Sequence, residues 1–267
     1  MGSGIAQVAA MAGFSTILYD LNDDIIEKAR KKLEKDLQAL VGKQKISAEK
    51  KDAVLQLLRF TSRVEDCVAD VVIEAVVEKY NVKTELFNRL AEINSKQSIF
   101  ASNTSSLSIS ELAKTIPHPE RVAGLHFFNP APVMKLVEVV QGEVTSEMVI
   151  GQLMDLTRQF GKEPVLCKDS PGFIVNRVAR PYYIESLRLA EEGVPFEVID
   201  RLLESRGFRM GPFRLMDLIG TDINYAVSCS VYEQLKQPER LRPSPIQKEK
   251  VEKGELGKKT GKGYYGY

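Results

Sequence analysis

Between Ser15 and Lys168 short β-branched runs alternate with longer stretches of helical periodicity, and this alternation constrains the fold more than any other feature of the chain. The runs cover residues 16–19, 71–76, 98–101, 122–128, 136–140 and 165–167. Strands separated by helices predict a parallel sheet with helices on its faces, an α/β architecture. Between the first two runs lies a charged helical stretch, residues 23–58, broken at "VGKQKIS". Gly42 there reads as a stop and Ser47 as a new cap, so the insertion is expected to be a helical hairpin.

The character of the chain changes at "KDSPGFIVNR", where Asp169-Ser170-Pro171 reads as a helix entry and no convincing strand follows. We expect two domains, residues 1–168 and 169–267, the second all-helical with helices over 172–192, 196–205 and 213–234 and a tail rich in Gly, Lys and Tyr. A chain of 267 residues with 43% hydrophobic and 27% charged residues can fill two such cores. Lys and Arg number 37 against 36 Asp and Glu, so a net charge of +1 offers no electrostatic footing for nucleic acid or an anionic membrane surface. A phosphate-bearing ligand must be held locally. Cys67, Cys167 and Cys229 are odd in number, far apart and not spaced as metal ligands, which suits a reducing compartment and argues against disulfides and metal. No apolar run approaches the roughly 18 residues of a membrane span, and the N-terminus lacks signal-peptide character, so a cytoplasmic location is expected.

The opening "MGSGIAQVAAMAGFSTILYD" resembles the later part of a dinucleotide-binding βαβ unit. Gly2 stands where the third glycine of G-x-G-x-x-G allows helix and strand to pack closely, and Asp20 closes the second strand, where an acid binds the adenosine ribose hydroxyls and favours NAD over NADP. The first strand of that pattern is missing. A small-residue helix packed under a sheet is the plain alternative.

The chemistry concentrates in "VAGLHFFNPAPVMKLVEVV". Glu138 interrupts an apolar strand, a costly place for a carboxylate without a partner, and an adjacent strand can bring His126 to it. A carboxylate that fixes the tautomer of an imidazole and stabilises its protonated form makes a general base. A core histidine bonded to backbone is the alternative for His126. The other histidine, His118 in "IPHPER", reads as part of a surface loop.

The segments "SNTSSLSISELA", "GLHFFNPAPVMKLVEVV", "KDSPGFIVNR", "MGPFRLMDLIGTD" and "GKKTGKGYYGY", in this order, resemble the L-3-hydroxyacyl-CoA dehydrogenase family over the whole chain. The resemblance implies a Rossmann-type NAD domain, here without its first strand, followed by a helical domain for substrate binding and homodimerisation. It implies NAD-dependent oxidation of the 3-hydroxyl of an acyl-CoA. It assigns His126 as the base, Glu138 as its orienting carboxylate, Ser105 as a donor to the substrate oxygen and Asn176 as a holder of the reacting carbonyl. Asn129 takes a more structural place in the histidine loop. Without the resemblance, "NTSSLS" reads as a helix cap with Ser106 equal to Ser105, and Asn176 as a helix cap or bridge.

For the cofactor the family pattern adds Glu78 and Lys83 in "AVVEKYNVKTELF", Asn103 after "IFAS", and Lys259 in the tail, although such a tail also reads as a flexible terminus. Lys43 at the hairpin tip is a candidate for the CoA phosphate, while Lys31, Lys32 and Lys35 alternate with acids as on a solvated face. Met1 and Gly2 match the end of the family's glycine turn, so the expected cause of the missing strand is a start assigned to an internal methionine or a truncated sequence. A chain that truly lacked it is expected to bind NAD weakly and to expose a sheet edge.

Three further readings stay open. The stretch "RGFRMGPFRLMDLIGTDINYAVSCSVYE" resembles the branch that acts on 3-hydroxyadipyl-CoA in phenylacetate breakdown, where Arg209 or Arg214 can pair with a distal carboxylate or serve as a surface charge. A non-catalytic NAD-binding or structural relative belongs to another class, and the joint presence of Ser105, His126, Glu138 and Asn176 argues against it. An inactive fragment of an enzyme is the third possibility.

Overall fold

Ala, Gly and Ser fill the first helix, α1 (Gly2–Met11), and their small size lets it bury two faces at once. In the computed structural model, which describes residues 1–267, Ile5, Val8 and Ala9 pack against Ile99, Ala101, Ala123 and Leu125. Ala6 and Ala10 pack on another side against Leu33, Leu37, Val54 and Leu58. The helix is followed by β1 (Thr16–Tyr19), α2 (Asp23–Gly42) and α3 (Ala48–Gln56). Asn22 caps α2 through the Asp24 N–H and Ser47 caps α3 through the Lys50 N–H, so the helical hairpin forms where its cap residues stand. Gly42 is the last helical residue; the positive φ that turns the chain belongs to Gln44, at 55°.

A strand that the periodicity did not reveal, β2 (Leu58–Thr61), runs directly on from α3 and pairs in parallel with β1, Thr16 opposite Leu58 and Tyr19 opposite Thr61. Then come β3 (Val71–Glu74), α4 (Tyr80–Ile93), β4 (Ile99–Ser102), α5 (Ile109–Ala113), β5 (Val122–Phe127), β6 (Leu136–Gln141), α6 (Glu147–Gln159) and β7 (Glu163–Lys168). The strands form two sheets, β1-β2 and β3-β4-β5-β6-β7, where one sheet was expected. The pairings are parallel, as expected, except that β5 and β6 run antiparallel. Their connection spans only residues 128–135, too short for a parallel crossover, which takes about a dozen residues or more.

Residues Met1–Asp169 form one compact unit and Ser170–Tyr267 a second. The second contains α7 (Val175–Glu191), α8 (Phe196–Ser205), α9 (Pro212–Ile219), α10 (Thr221–Gln234) and α11 (Pro245–Glu252) around Tyr183, Leu187, Ile199, Phe213, Met216 and Tyr264. The helix expected over 213–234 is two, because Gly220 adopts φ 104° and breaks it. Asp169-Ser170-Pro171 is not the helix entry either: Gly172 and Phe173 take positive φ and α7 starts at Val175. The tail is folded. Asp217 accepts the Tyr264 and Tyr265 N–H groups at 3.0 Å each and the Tyr267 hydroxyl at 3.1 Å. Gly263 is required there, since a Cβ on it would lie 2.0 Å from Asp217 Oδ1.

Candidate active site

The antiparallel register of β5 and β6 sets Gly124 opposite Val140 and His126 opposite Glu138. Alternation along the strands then sends Leu125, Phe127, Val137 and Val139 into the hydrophobic core, and His126 and Glu138 to the other face. His126 Nδ1 lies 2.7 Å from Glu138 Oε2, with the two residues 6% and 1% exposed. The Phe128 ring, tilted and 4.6 Å away, packs on the imidazole. The carboxylate thus has its partner, and the direct hydrogen bond to it fixes the imidazole in one orientation.

The loop carrying Ser105 is bound to two neighbours. On one side Asn103 accepts the Phe127 N–H on Oδ1 at 2.7 Å, joining the end of β4 to the residue after His126. On the other, Glu78 Oε1 accepts the Ser105 N–H at 3.0 Å, the Ser106 N–H at 3.2 Å and the Ser106 hydroxyl at 3.1 Å, as well as the Thr104 hydroxyl. Glu78 engages Ser106 through its hydroxyl as well as its N–H. Burial acts to raise the Glu78 carboxyl, but the Lys83 charge and the bonds from Thr104, Lys83 and Ser105 outweigh it and hold the group below the ordinary carboxylate range. Lys83 itself is buried, its ammonium covered by Glu74 at 2.7 Å and Glu78 at 3.1 Å.

Asp20 is half-buried just past β1, and its carboxylate carries no hydrogen bond or ion pair. A Cβ on Gly2 would meet Leu18 at an ordinary 3.7 Å, whereas one on Gly4 would crowd Pro132 at 3.3 Å and Ala131 at 3.4 Å; the close approach is at Gly4, toward the segment after His126. Lys43 and Asn129 are exposed. Asn176 is half-buried in the first turn of α7, its carbonyl accepting from Arg180 Nε at 3.0 Å. The Lys259 ammonium is paired with Asp222. Arg214 is paired with Glu204 at 3.2 Å, while Arg209 is exposed. His118 is a surface residue beside Glu120. Burial pushes the Cys167 thiol up to about 12, with Glu138 and Asp169 adding to the shift, so that sulfur is a neutral bystander.

Two polar residues escaped sequence reasoning. Asp169, read only as a boundary, accepts the Ser108 hydroxyl at 2.7 Å and the Ser110 N–H at 2.8 Å, anchoring α5. Glu74 is buried in a polar cluster with Lys83 and Ser102. Its signal was present, since Glu74 interrupts "VVIEAVV" just as Glu138 interrupts its own strand.

Ligands of open α/β sheets lie beyond the carboxyl ends of the strands. Asp20 follows β1, Asn103 follows β4 and His126 stands in the last turn of chain of β5. An unpaired carboxylate suits the hydroxyls of a ribose and would repel a phosphate in their place, so the residues present fit NAD. With the His126–Glu138 pair on β5 and β6, they fit an NAD-binding domain that carries a candidate acid–base pair. Residues 1–170 match the family model of the 3-hydroxyacyl-CoA dehydrogenase NAD binding domain, and residues 172–267 match that of the 3-hydroxyacyl-CoA dehydrogenase C-terminal domain. The chain belongs to the 3-hydroxyacyl-CoA dehydrogenase family.

It is 50% identical to a 3-hydroxyadipyl-CoA dehydrogenase of Escherichia coli over 99% of its own length, but spans 56% of that protein, little more than half. It is 43% identical to the mitochondrial hydroxyacyl-coenzyme A dehydrogenase of Sus scrofa, covering all of this chain and 88% of the relative. The crystal structure of an (S)-3-hydroxybutyryl-CoA dehydrogenase from Ralstonia eutropha superposes with a TM-score of 0.96 at 36% identity, over 100% of this chain and 95% of that one.

Proposed function

We propose that this chain catalyses the reversible, NAD-dependent oxidation of the 3-hydroxyl of an L-3-hydroxyacyl-CoA to the 3-oxoacyl-CoA. The observation that carries this reading is the buried His126–Glu138 pair at 2.7 Å, on a chain of this family. His126 takes the hydroxyl proton on Nε2 while Glu138 holds Nδ1, and it returns the proton in the reverse direction. NAD, when bound, accepts the hydride from C3. Ser105 donates its hydroxyl to the substrate oxygen as negative charge gathers there, and Asn176 is assigned the substrate carbonyl by its match to the family motif. Asp20 and Asn103 are assigned to the cofactor, and Lys43 to the CoA phosphate. The test is loss of NADH absorbance with acetoacetyl-CoA: turnover by the wild type that is abolished in a folded His126→Gln variant supports the reading, and no turnover by the wild type overturns it.

A dicarboxylic substrate, 3-hydroxyadipyl-CoA, is favoured by the identity with the Escherichia coli relative of that name. Arg209 is the better candidate for its distal carboxylate, since Arg214 already has Glu204. Reduction of 3-oxoadipyl-CoA no faster than acetoacetyl-CoA overturns this preference. No helix is long and apolar enough to cross a membrane. We place the enzyme in the cytoplasm, working in acyl-CoA β-oxidation as a homodimer joined through the helical unit, where Leu202, Phe208, Leu218, Ile219 and Ile223 are exposed.

A further inference from the structure

Glu74 ends β3 with its side chain fully enclosed, a costly place for a carboxylate. Donors meet both of its oxygens. The Val76 N–H at 2.6 Å and Lys83 Nζ at 2.7 Å reach Oε1, while the Ser102 hydroxyl at 2.7 Å and Lys83 Nζ at 3.0 Å reach Oε2. The Glu74 carbonyl accepts the Asn103 N–H at 2.7 Å, and the ladder sets Glu74 opposite Ser102. One residue therefore locks the ends of β3 and β4.

Lys83 carries that order outward. Its ammonium bridges Glu74 and Glu78, and Glu78 collects the hydroxyl of Thr104 and the main-chain N–H groups of Ser105 and Ser106. An unbroken run of charge-assisted bonds thus joins a buried strand end to the loop that bears Ser105. Glu74 is the nearer and fully buried counter-ion of Lys83, at 2.7 Å against 3.1 Å for the partly exposed Glu78, and it does more than balance charge. What it adds is direction, because a lysine on a flexible stem is held to one position by a second, rigidly seated acceptor.

We propose that Glu74 is a positioning residue for the dehydrogenase reaction, setting the place of the Ser105 loop through Lys83 and Glu78. The kinetic half of this inference rests on the function proposed above; the structural half does not. The test is Glu74→Gln, read by hydrogen–deuterium exchange of peptides covering residues 103–108, with α6 as the internal reference, and by steady-state kinetics with acetoacetyl-CoA and NADH. Exchange in 103–108 is expected to rise about 10-fold with α6 unchanged, since the loop opens locally. The value of kcat is expected to fall about 10- to 100-fold, the signature of a displaced catalytic group. Loop exchange at the wild-type rate overturns the proposal, and so does an equal rise in loop and α6, which marks general loosening. Should the variant not fold, Ser102→Ala removes one bond from the same carboxylate and keeps its charge. It is then expected to raise loop exchange about 3-fold, and no change overturns the proposal. Wild-type protein that fails to oxidise NADH with acetoacetyl-CoA sinks the proposed function, while the exchange data still decide the role of Glu74.

Discussion

The side chain of Asn103 accepts the Phe127 N–H at 2.7 Å, so the strand that leads into the serine loop and the strand that carries His126 are tied together one residue from the base. Asn103→Ala leaves that N–H without its acceptor, at a cost of about 1–3 kcal/mol. Asn103→Asp keeps an acceptor and is expected to retain most of the stability. Urea midpoints of the two variants check this, and equal loss in both would show that the bond contributes nothing.

His126→Gln is expected to lower kcat by about 100- to 10,000-fold, the range typical of a lost general base. Glu138→Ala leaves a buried imidazole without its carboxylate and is expected to lose both activity and thermal stability. Steady-state rates measured beside circular dichroism melts separate the two effects, and a Glu138→Ala enzyme of wild-type rate would remove the pair from the mechanism.

Glu78 is held below the ordinary carboxylate range, which fixes the sign of its pH dependence. A carboxyl depressed in the folded state contributes stability that is present above its unfolded pKa and is lost as pH falls through the folded value. Acidification from neutral pH to below the ordinary carboxylate range, about 4, is therefore expected to lower the urea midpoint of the wild type more than that of Glu78→Gln. Parallel pH curves for the two proteins would contradict this.

Gly263→Ala would drive a methyl group to within 2.0 Å of Asp217 Oδ1. Overpacking of this kind costs about 1–3 kcal/mol, and it should free the Tyr264 and Tyr265 amides from Asp217. A lowered Tm with faster amide exchange at the tail is the expected result; an unchanged melt would show that the tail adjusts without cost.

Much of the site was legible because its chemistry is local. A carboxylate inside "LVEVV" announces a buried charge, and a single histidine on a neighbouring apolar strand is the natural partner. The same signal stands in "VVIEAVV", where Glu74 interrupts an apolar run. The helix cap Ser47 was equally readable. By contrast β2, four residues run on from a helix, has too short a pattern to stand apart from α3.

Sequence alone determined most strands and helices of the first unit, the His–Glu pairing and the family motifs, because periodicity, buried charge and turn chemistry act over a few neighbouring residues. Only the tertiary structure decided which acceptors each donor meets. It put Lys83 behind Glu78 and joined Asn103 to Phe127. It divided the strands into two sheets and seated the glycine-rich tail on Asp217. Those choices depend on contacts between residues far apart in the chain, where the cost of leaving a buried polar group unpaired selects one partner among several.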